Sequence, residues 1–513
     1  MENNNSLSLL SEQRGADFYV ESSAEYILPD YNADVRKLLY TSCDVKSAGK
    51  FSADEQIDFS GIVEYRVIYA DKDGEISEVA FTSDYEYSLP LSGDIIDAES
   101  TPSVQNYQIR VLGPRKIAAK ASLACENIYT SERQIGCEGL SEGNIETERR
   151  TVSVGRVKKV ESEEREIAEE ISRLDGVTLD EVTLISAIAE CCEVDFTRSG
   201  DDGVCKSEVK VKLLYRDNEG GVIPLEAALS AEGVIPLSGV PESASVICTP
   251  VILSERCECV PTDDGINIVA NLILKWEGVC IYNEEHSVIT DGYSTEHMTE
   301  NKYSSLGIIS YMPTVSEVVI KEGAVMPECA EGGRIKEVLL TGARARITEK
   351  RLDGGECNIS FEARVQGVVA MCTSDDKVIY TPLKITENIA KKVNLSSKKC
   401  TNFGANVKIL SCNVLQKIDG EEIKYQIKLV LSILPFCEEN QRILSDISLD
   451  DGEEFEKVLG RVTVYYTEPG DSLFSIAKKY HTTKDKLLEN NEIVAEVIGG
   501  EEHIRLPRKL IIY

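Results

Sequence analysis

The chain of 513 residues is short of cations, histidine and tryptophan. Its 55 Lys+Arg face 88 Asp+Glu, a formal charge of −33. That balance excludes the basic footprint that nucleic-acid binding needs and opposes adhesion to an anionic membrane. Four isolated histidines and sixteen cysteines without a single C-x-x-C leave no zinc framework; the tightest cysteine spacings are Cys191-Cys192 and Cys257-x-Cys259. The start, MENNNSLSLL, lacks both a basic n-region and a sustained apolar run, so no export signal is expected. No apolar run approaches the length of a transmembrane segment, and KLVLSILPF at 428–436 is strand length. Free, buried thiols in a reducing cytosol are therefore expected. Catalytic signatures are missing too. Ala48-Gly49-Lys50-Phe51 lacks the upstream glycine and the Ser/Thr of a phosphate loop, His286 and His297 stand outside any H-E-x-x-H, and no G-x-S-x-G occurs. Neither an enzyme nor a cofactor or metal site is expected, and Trp276, in LILKWEG, reads as core.

What is present is a repeat. Val63–Gly93 laid without a gap on Val209–Gly239 shares nine identities, ending in Pro90-Leu91-Ser92-Gly93 over Pro236-Leu237-Ser238-Gly239. Val63, Tyr65, Val67 and Tyr69 alternate along one face, as do Val209, Val211, Leu213 and Tyr215, the period of a half-buried strand. Each run ends in a polar turn with a glycine, Asp71-Lys72-Asp73-Gly74 and Asp217-Asn218-Glu219-Gly220, where glycine supplies the positive φ of a hairpin. A fainter third copy, 341–380, puts Thr373-Ser374-Asp375-Asp376 at the hairpin position without the glycine.

These signals divide the chain into a polar, disordered lead-in (1–14), three β-rich units (15–130, 155–282 and 315–438), an acidic linker (439–460) and a distinct tail (461–513). The stretch 158–174, with Val160, Ile167, Ile171 and Leu174, predicts a one-sided helix across an edge of the second unit. Charged, turn-rich seams are expected at 131–155, 285–315 and 440–460. In the tail, VTVYYT leads to the turn Glu468-Pro469-Gly470, Asp471 or Ser472 can cap a helix carrying Leu473, Ile476 and Ala477, and Thr482-x-x-Asp485 can open a second helix. With RKLIIY closing, the tail reads as a βααβ module, and the whole chain as mainly β with some α, an α+β protein.

PGDSLFSIAKKY and the later LLENN resemble the LysM family, standing where that family has its turn, first helix and Leu-x-x-x-Asn. The resemblance implies a shallow groove for N-acetylglucosamine-containing glycans, between the loop before the first helix and the loop after the second. Here the second loop, NEIVAEVIGGEEHIRLP, is acidic. The order of three β repeats and a LysM tail resembles the SPOCS-domain proteins of endospore-forming bacteria, the SipL type in particular. That resemblance implies a non-enzymatic scaffold in the mother-cell cytoplasm, attaching the coat's basement ATPase, a SpoIVA-like protein, and possible further coat proteins at the forespore surface. The alternative is a peptidoglycan-binding protein of the cortex or wall. Under either reading the binding surface is expected at Glu468, Pro469, Gly470, Asp471, Ser472 and Phe474, with Lys478 and Lys479 exposed beside it.

Overall fold

The computed structural model describes residues 6–15, 18–53, 55–138, 140, 144–327, 334–395, 400–416, 422–455, 462–491, 493, 495–498, 501–504 and 506–512. The expected α+β mixture is corrected to all-β: among the described residues 78% are strand and 4% helical, with two helices. Three copies of one seven-stranded sandwich account for most of it.

In the first copy the strands are β1 (Ser6–Arg14), β2 (Phe18–Ile27), β3 (Lys37–Ser52), β4 (Gln56–Ala70), β5 (Ile76–Pro90), β6 (Ile95–Gly113) and β7 (Lys116–Gly136). One sheet is β3-β4-β5; in the other, β6 lies on one side of β7 while β2 and β1 share its opposite side end to end. The second copy repeats this with β8 (Ile145–Glu161), β9 (Arg165–Asp175), β10 (Thr183–Ser199), β11 (Asp202–Arg216), β12 (Val222–Pro236), β13 (Ser245–Thr262) and β14 (Gly265–Ser294). The third uses β15 (His297–Tyr311), β16 (Val315–Val325), β17 (Arg334–Asp353), β18 (Glu356–Cys372), β19 (Val378–Asn394), β20 (Asn402–Gln416) and β21 (Ile423–Glu454). All pairings within the sheets are antiparallel, and strict alternation buries one face of each central strand between the sheets. Trp276 is fully buried there, its indole N–H donating to the Ser207 hydroxyl at 2.9 Å.

The hairpin that reveals the repeat closes alike in all three copies. Asp71, Asp217 and Thr373 each donate backbone N–H to the residue four positions on, and Gly74, Gly220 and Asp376 take the left-handed conformation, at φ 88°, 80° and 57°. Aspartate thus stands in for the missing glycine, as it can at modest cost. The Asp71 and Asp217 carboxylates brace two turn amides each, and the Thr373 hydroxyl accepts one.

The three sandwiches close into a ring with quasi-threefold contacts. Arg66 donates to the Ala187 carbonyl of the second copy, Lys212 to Thr341 of the third at 2.7 Å, and Gln366 joins Tyr107 and Thr41 of the first at 2.9 and 3.1 Å. Near the hairpins the ring is plugged by Leu39, Tyr40, Ile68, Leu214, Leu340 and Ala370, drawn from all three copies. At the other end the distal halves of β7, β14 and β21, each paired with a first strand, form three ribbons that pack through Leu9, Val152, Val154, Val288, Leu306 and Ile443. Arg156 grips Glu12 there with two bonds, 2.6 and 2.9 Å.

These ribbons correct several expectations. Residues 6–14 are a strand rather than a disordered lead-in, and 439–454 continue β21 rather than forming a linker. The seams expected at 131–155 and 285–315 lie largely in β7, β8, β14 and β15. The expected helix at 158–174 is the end of β8 and the whole of β9. The remaining parts of the lead-in and linker, 1–5 and 456–460, lie outside the described residues.

Candidate functional site

Between plug and ribbons all three copies line a half-open cavity of about 1600 Å³. Its charges are matched internally. Arg66 pairs with Glu255, Arg344 with Asp44 at 2.6 Å, and Arg346 and Arg364 share Glu362 at 3.0 and 2.6 Å. Burial raises the Glu255 carboxyl against the pull of Arg66, and Glu78 behind it likewise. The Arg66–Glu255 and Arg344–Asp44 pairs join neighbouring copies, while the Glu362 cluster lies within the third. Among the described residues no group of three or more His, Cys, Asp or Glu is placed to hold a metal ion, and no helix is long and apolar enough to cross a membrane.

The other candidate is the tail. β22 (Thr463–Tyr466) pairs antiparallel with β25 (Lys509–Ile512), and between them lie α1 (Leu473–Lys479), α2 (Lys484–Asn490) and a small hairpin of β23 (Ala495–Ile498) and β24 (Glu501–Ile504). Helices of seven residues are marginal alone, so capping and burial must hold them. Ser472 caps α1 by accepting the Ser475 N–H at 3.0 Å, while the Ser475 hydroxyl accepts the Ser472 N–H at 2.9 Å. Thr483, not the expected Thr482, caps α2. Leu473, Ile476 and Ala477 are buried as the spacing required, together with Phe474, Leu487, Leu510 and Ile512. Asn491, the last residue of the Leu-x-x-x-Asn pattern, donates its amide to the carbonyls of Leu487 and Ile511 at 2.9 and 2.8 Å, tying the end of α2 to β25.

The turn before α1 is pre-shaped. Gly470 has φ 99°, and the Asp471 carboxylate accepts the Glu468 N–H at 2.7 Å and the Tyr465 hydroxyl at 2.9 Å. Glu468, Pro469, Gly470 and Ser472 are left exposed, a short run of backbone and polar groups open to a ligand. Asp471 is half-buried and bonded within the turn, so it shapes the site more than it faces outward. Lys479 is exposed over the Tyr465 and Tyr480 rings, 4.9 and 5.7 Å from their centroids.

Two of the expected surface residues are otherwise engaged. The module is docked on the β14 ribbon through α1 and the turn that follows it. Lys478, expected to be exposed, is half-buried and binds both Asp291 carboxylate oxygens at 2.7 and 2.6 Å. Phe474 meets the Tyr293 ring edge-on at 5.3 Å, and the Tyr293 hydroxyl donates to the Thr482 carbonyl at 2.6 Å. Burial works against the Asp291 charge, but Lys478, the Tyr303 hydroxyl and the Gly292 N–H outweigh it and hold the carboxyl below its usual range. His481, in the left-handed conformation at φ 50°, stacks on Phe455 at 3.6 Å, and burial lowers its pKa. Sequence reasoning missed Asp291 and Tyr293: ITDGYS lies nearly two hundred residues upstream, and nothing local marks it as a dock.

A family profile for the LysM domain matches residues 465–498, covering the second half of β22, both helices and β23. No curated protein and no solved structure matches the chain.

Proposed function

We propose that the chain is a non-enzymatic glycan-binding protein whose C-terminal module engages N-acetylglucosamine-containing polymers such as peptidoglycan. The observation that carries this reading is the LysM match at 465–498 together with the placement of its turn: Glu468, Pro469, Gly470 and Ser472 stay open while α1 and the turn after it are held by the β14 ribbon. The ring of sandwiches serves as a rigid mount, so the groove is held at a fixed angle to a large acidic body. Lys479 flanks the turn and supports binding; Lys478 and Phe474 act in docking.

Co-sedimentation of the intact chain with purified peptidoglycan, competed by soluble muropeptides, tests the reading. The chain should pellet and be released by competitor, and Gly470→Val, which strains the φ 99° turn, should abolish pelleting while the circular dichroism stays native. A native chain that stays in the supernatant removes the proposal.

A second reading keeps the three tandem units ahead of the module as its motive: a spore-coat scaffold in the mother-cell cytoplasm that attaches a SpoIVA-like ATPase through the same turn. It predicts capture of that ATPase by the intact chain, sensitive to Lys479→Glu and indifferent to muropeptides.

A further inference from the structure

In the second sandwich the Cys205 and Cys248 sulfurs are 2.8 Å apart. Cys205 lies on β11, the middle strand of one sheet, and Cys248 on β13, at the edge of the facing sheet. The pair therefore spans the sandwich core. Cys205 is fully buried, Cys248 partly exposed, and both are free thiols.

The local backbone presses them together. Cys205 lies between Phe196 and Gly233 on its neighbouring strands, and Cys248 lies opposite Gly278. A Cβ on Gly233 would fall 2.1 Å from the Trp276 ring, and one on Gly278 would fall 2.7 Å from Ile235 and 2.8 Å from Val160. Two glycines thus let side chains of the opposite sheet reach into the layer where the thiols meet, and fix the sheet spacing there.

The sister copies show that thiols are not simply what this position requires. Counting back from the first turn residue, Asp71, Asp217 and Thr373, the equivalents of Cys205 are Phe59 and Phe361. Counting back from the bulged residue of β6, β13 and β20, the equivalents of Cys248 are Ser100 and Ala405. The equivalent positions hold a phenylalanine and a small residue in the first and third copies, whereas the second opposes two thiols 2.8 Å apart.

We propose that Cys205 and Cys248 form a cross-sheet disulfide that staples the second sandwich, the copy on which the LysM module docks. The oxidant is a small-molecule or protein disulfide. The partly exposed Cys248 thiolate attacks it, one thiolate leaves, and a mixed disulfide remains on Cys248. The Cys205 thiolate then attacks the Cys248 sulfur and expels the second thiolate. Two protein thiols lose two electrons and two protons, which reduce the oxidant to two thiols. The contact with Cys205 raises the Cys248 thiol's pKa, so the first attack is the slow step, and the 2.8 Å sulfur spacing favours the second. The staple closes the chain between the two sheets and restrains the unfolded ensemble.

The test uses the full chain incubated natively with oxidised glutathione, then denatured in iodoacetamide, digested and mapped by mass spectrometry. Cys205 and Cys248 should escape alkylation and appear as one linked peptide pair, restored to two alkylated peptides by dithiothreitol. The link should form unchanged in Cys280→Ser, the nearest other buried thiol, and be lost in Cys248→Ser. The oxidised wild type should unfold a few degrees higher than the reduced chain, with no such rise in Cys248→Ser, whose native circular dichroism serves as the folding control. Recovery of both residues alkylated from the oxidised wild type, a glutathione adduct that persists on Cys248, or a link from either residue to Cys280 overturns the proposal.

Discussion

At the scale of single residues, a few side chains hold together parts of the chain that are far apart in sequence. Arg156 and Glu12 are largely buried and bonded twice; Arg156 keeps Glu284 when Glu12 is removed, whereas removing Arg156 strands the Glu12 carboxylate. Arg156→Ala should cost about 3–5 kcal/mol, read as a shift in the urea midpoint; a surface pair would lose under about 1 kcal/mol. Asp376 holds a conformation its neighbours assign to glycine, so Asp376→Gly should stabilise the third copy by about 1 kcal/mol, whereas Gly220→Ala at φ 80° should destabilise the second. His481 gives the docking its pH dependence. Its docked pKa lies below the ordinary imidazole value, so its contribution to docking is fully present above about pH 6.5 and is lost as pH falls through the docked value. Asp291, with its pKa also depressed, adds a second loss only in the acid range below about pH 4. Solution scattering should show the module releasing from the ring on mild acidification, and His481→Asn, which tolerates the left-handed backbone, should flatten that transition.

At the scale of elements, the alternation in β4 and β11 and the polar hairpin turns after them were open to reading, because a half-buried strand writes its period directly into the sequence. So was the capped first helix of the tail, with its buried face at Leu473, Ile476 and Ala477. The ribbons were not. Their strands are charged on one face and pair with partners from the other end of the same unit, as β1 does with β7, so local composition mimics a linker. The false helix at 158–174 has a specific cause. Ile167 and Ile171 are four apart, which suits both periods, and a register shift in β9 opposite Ile268 and Val269 then moves Ser172 and Leu174 onto the inward face. The dock was illegible for a different reason: Lys478 and Asp291 each look like ordinary surface charges until the fold joins them. Asp291→Asn should therefore free the module without unfolding it, making Lys478 newly reactive to an amine label while the far-ultraviolet spectrum is unchanged.

At the scale of the whole molecule, three copies of one sandwich form an internal pseudo-trimer, and the shared plug makes each copy depend on the other two. Ile68, Leu214 and Ala370 meet there from three separate units. Leu214→Asp, burying an unpartnered charge in the plug, should destabilise all three at once, so calorimetry should show one transition moved downward rather than one of three peaks lost. The body gives the module a fixed mount, and the module gives the body an outward-facing turn. The measurement that bears most directly on this account is a calorimetric titration of the intact, folded chain with a soluble N-acetylglucosamine oligomer. Saturable binding at one site per chain, lost in Gly470→Val and kept in Lys478→Ala, is the predicted result. No heat of binding from the wild-type chain, or binding that vanishes with Lys478 and survives at Gly470, would contradict it.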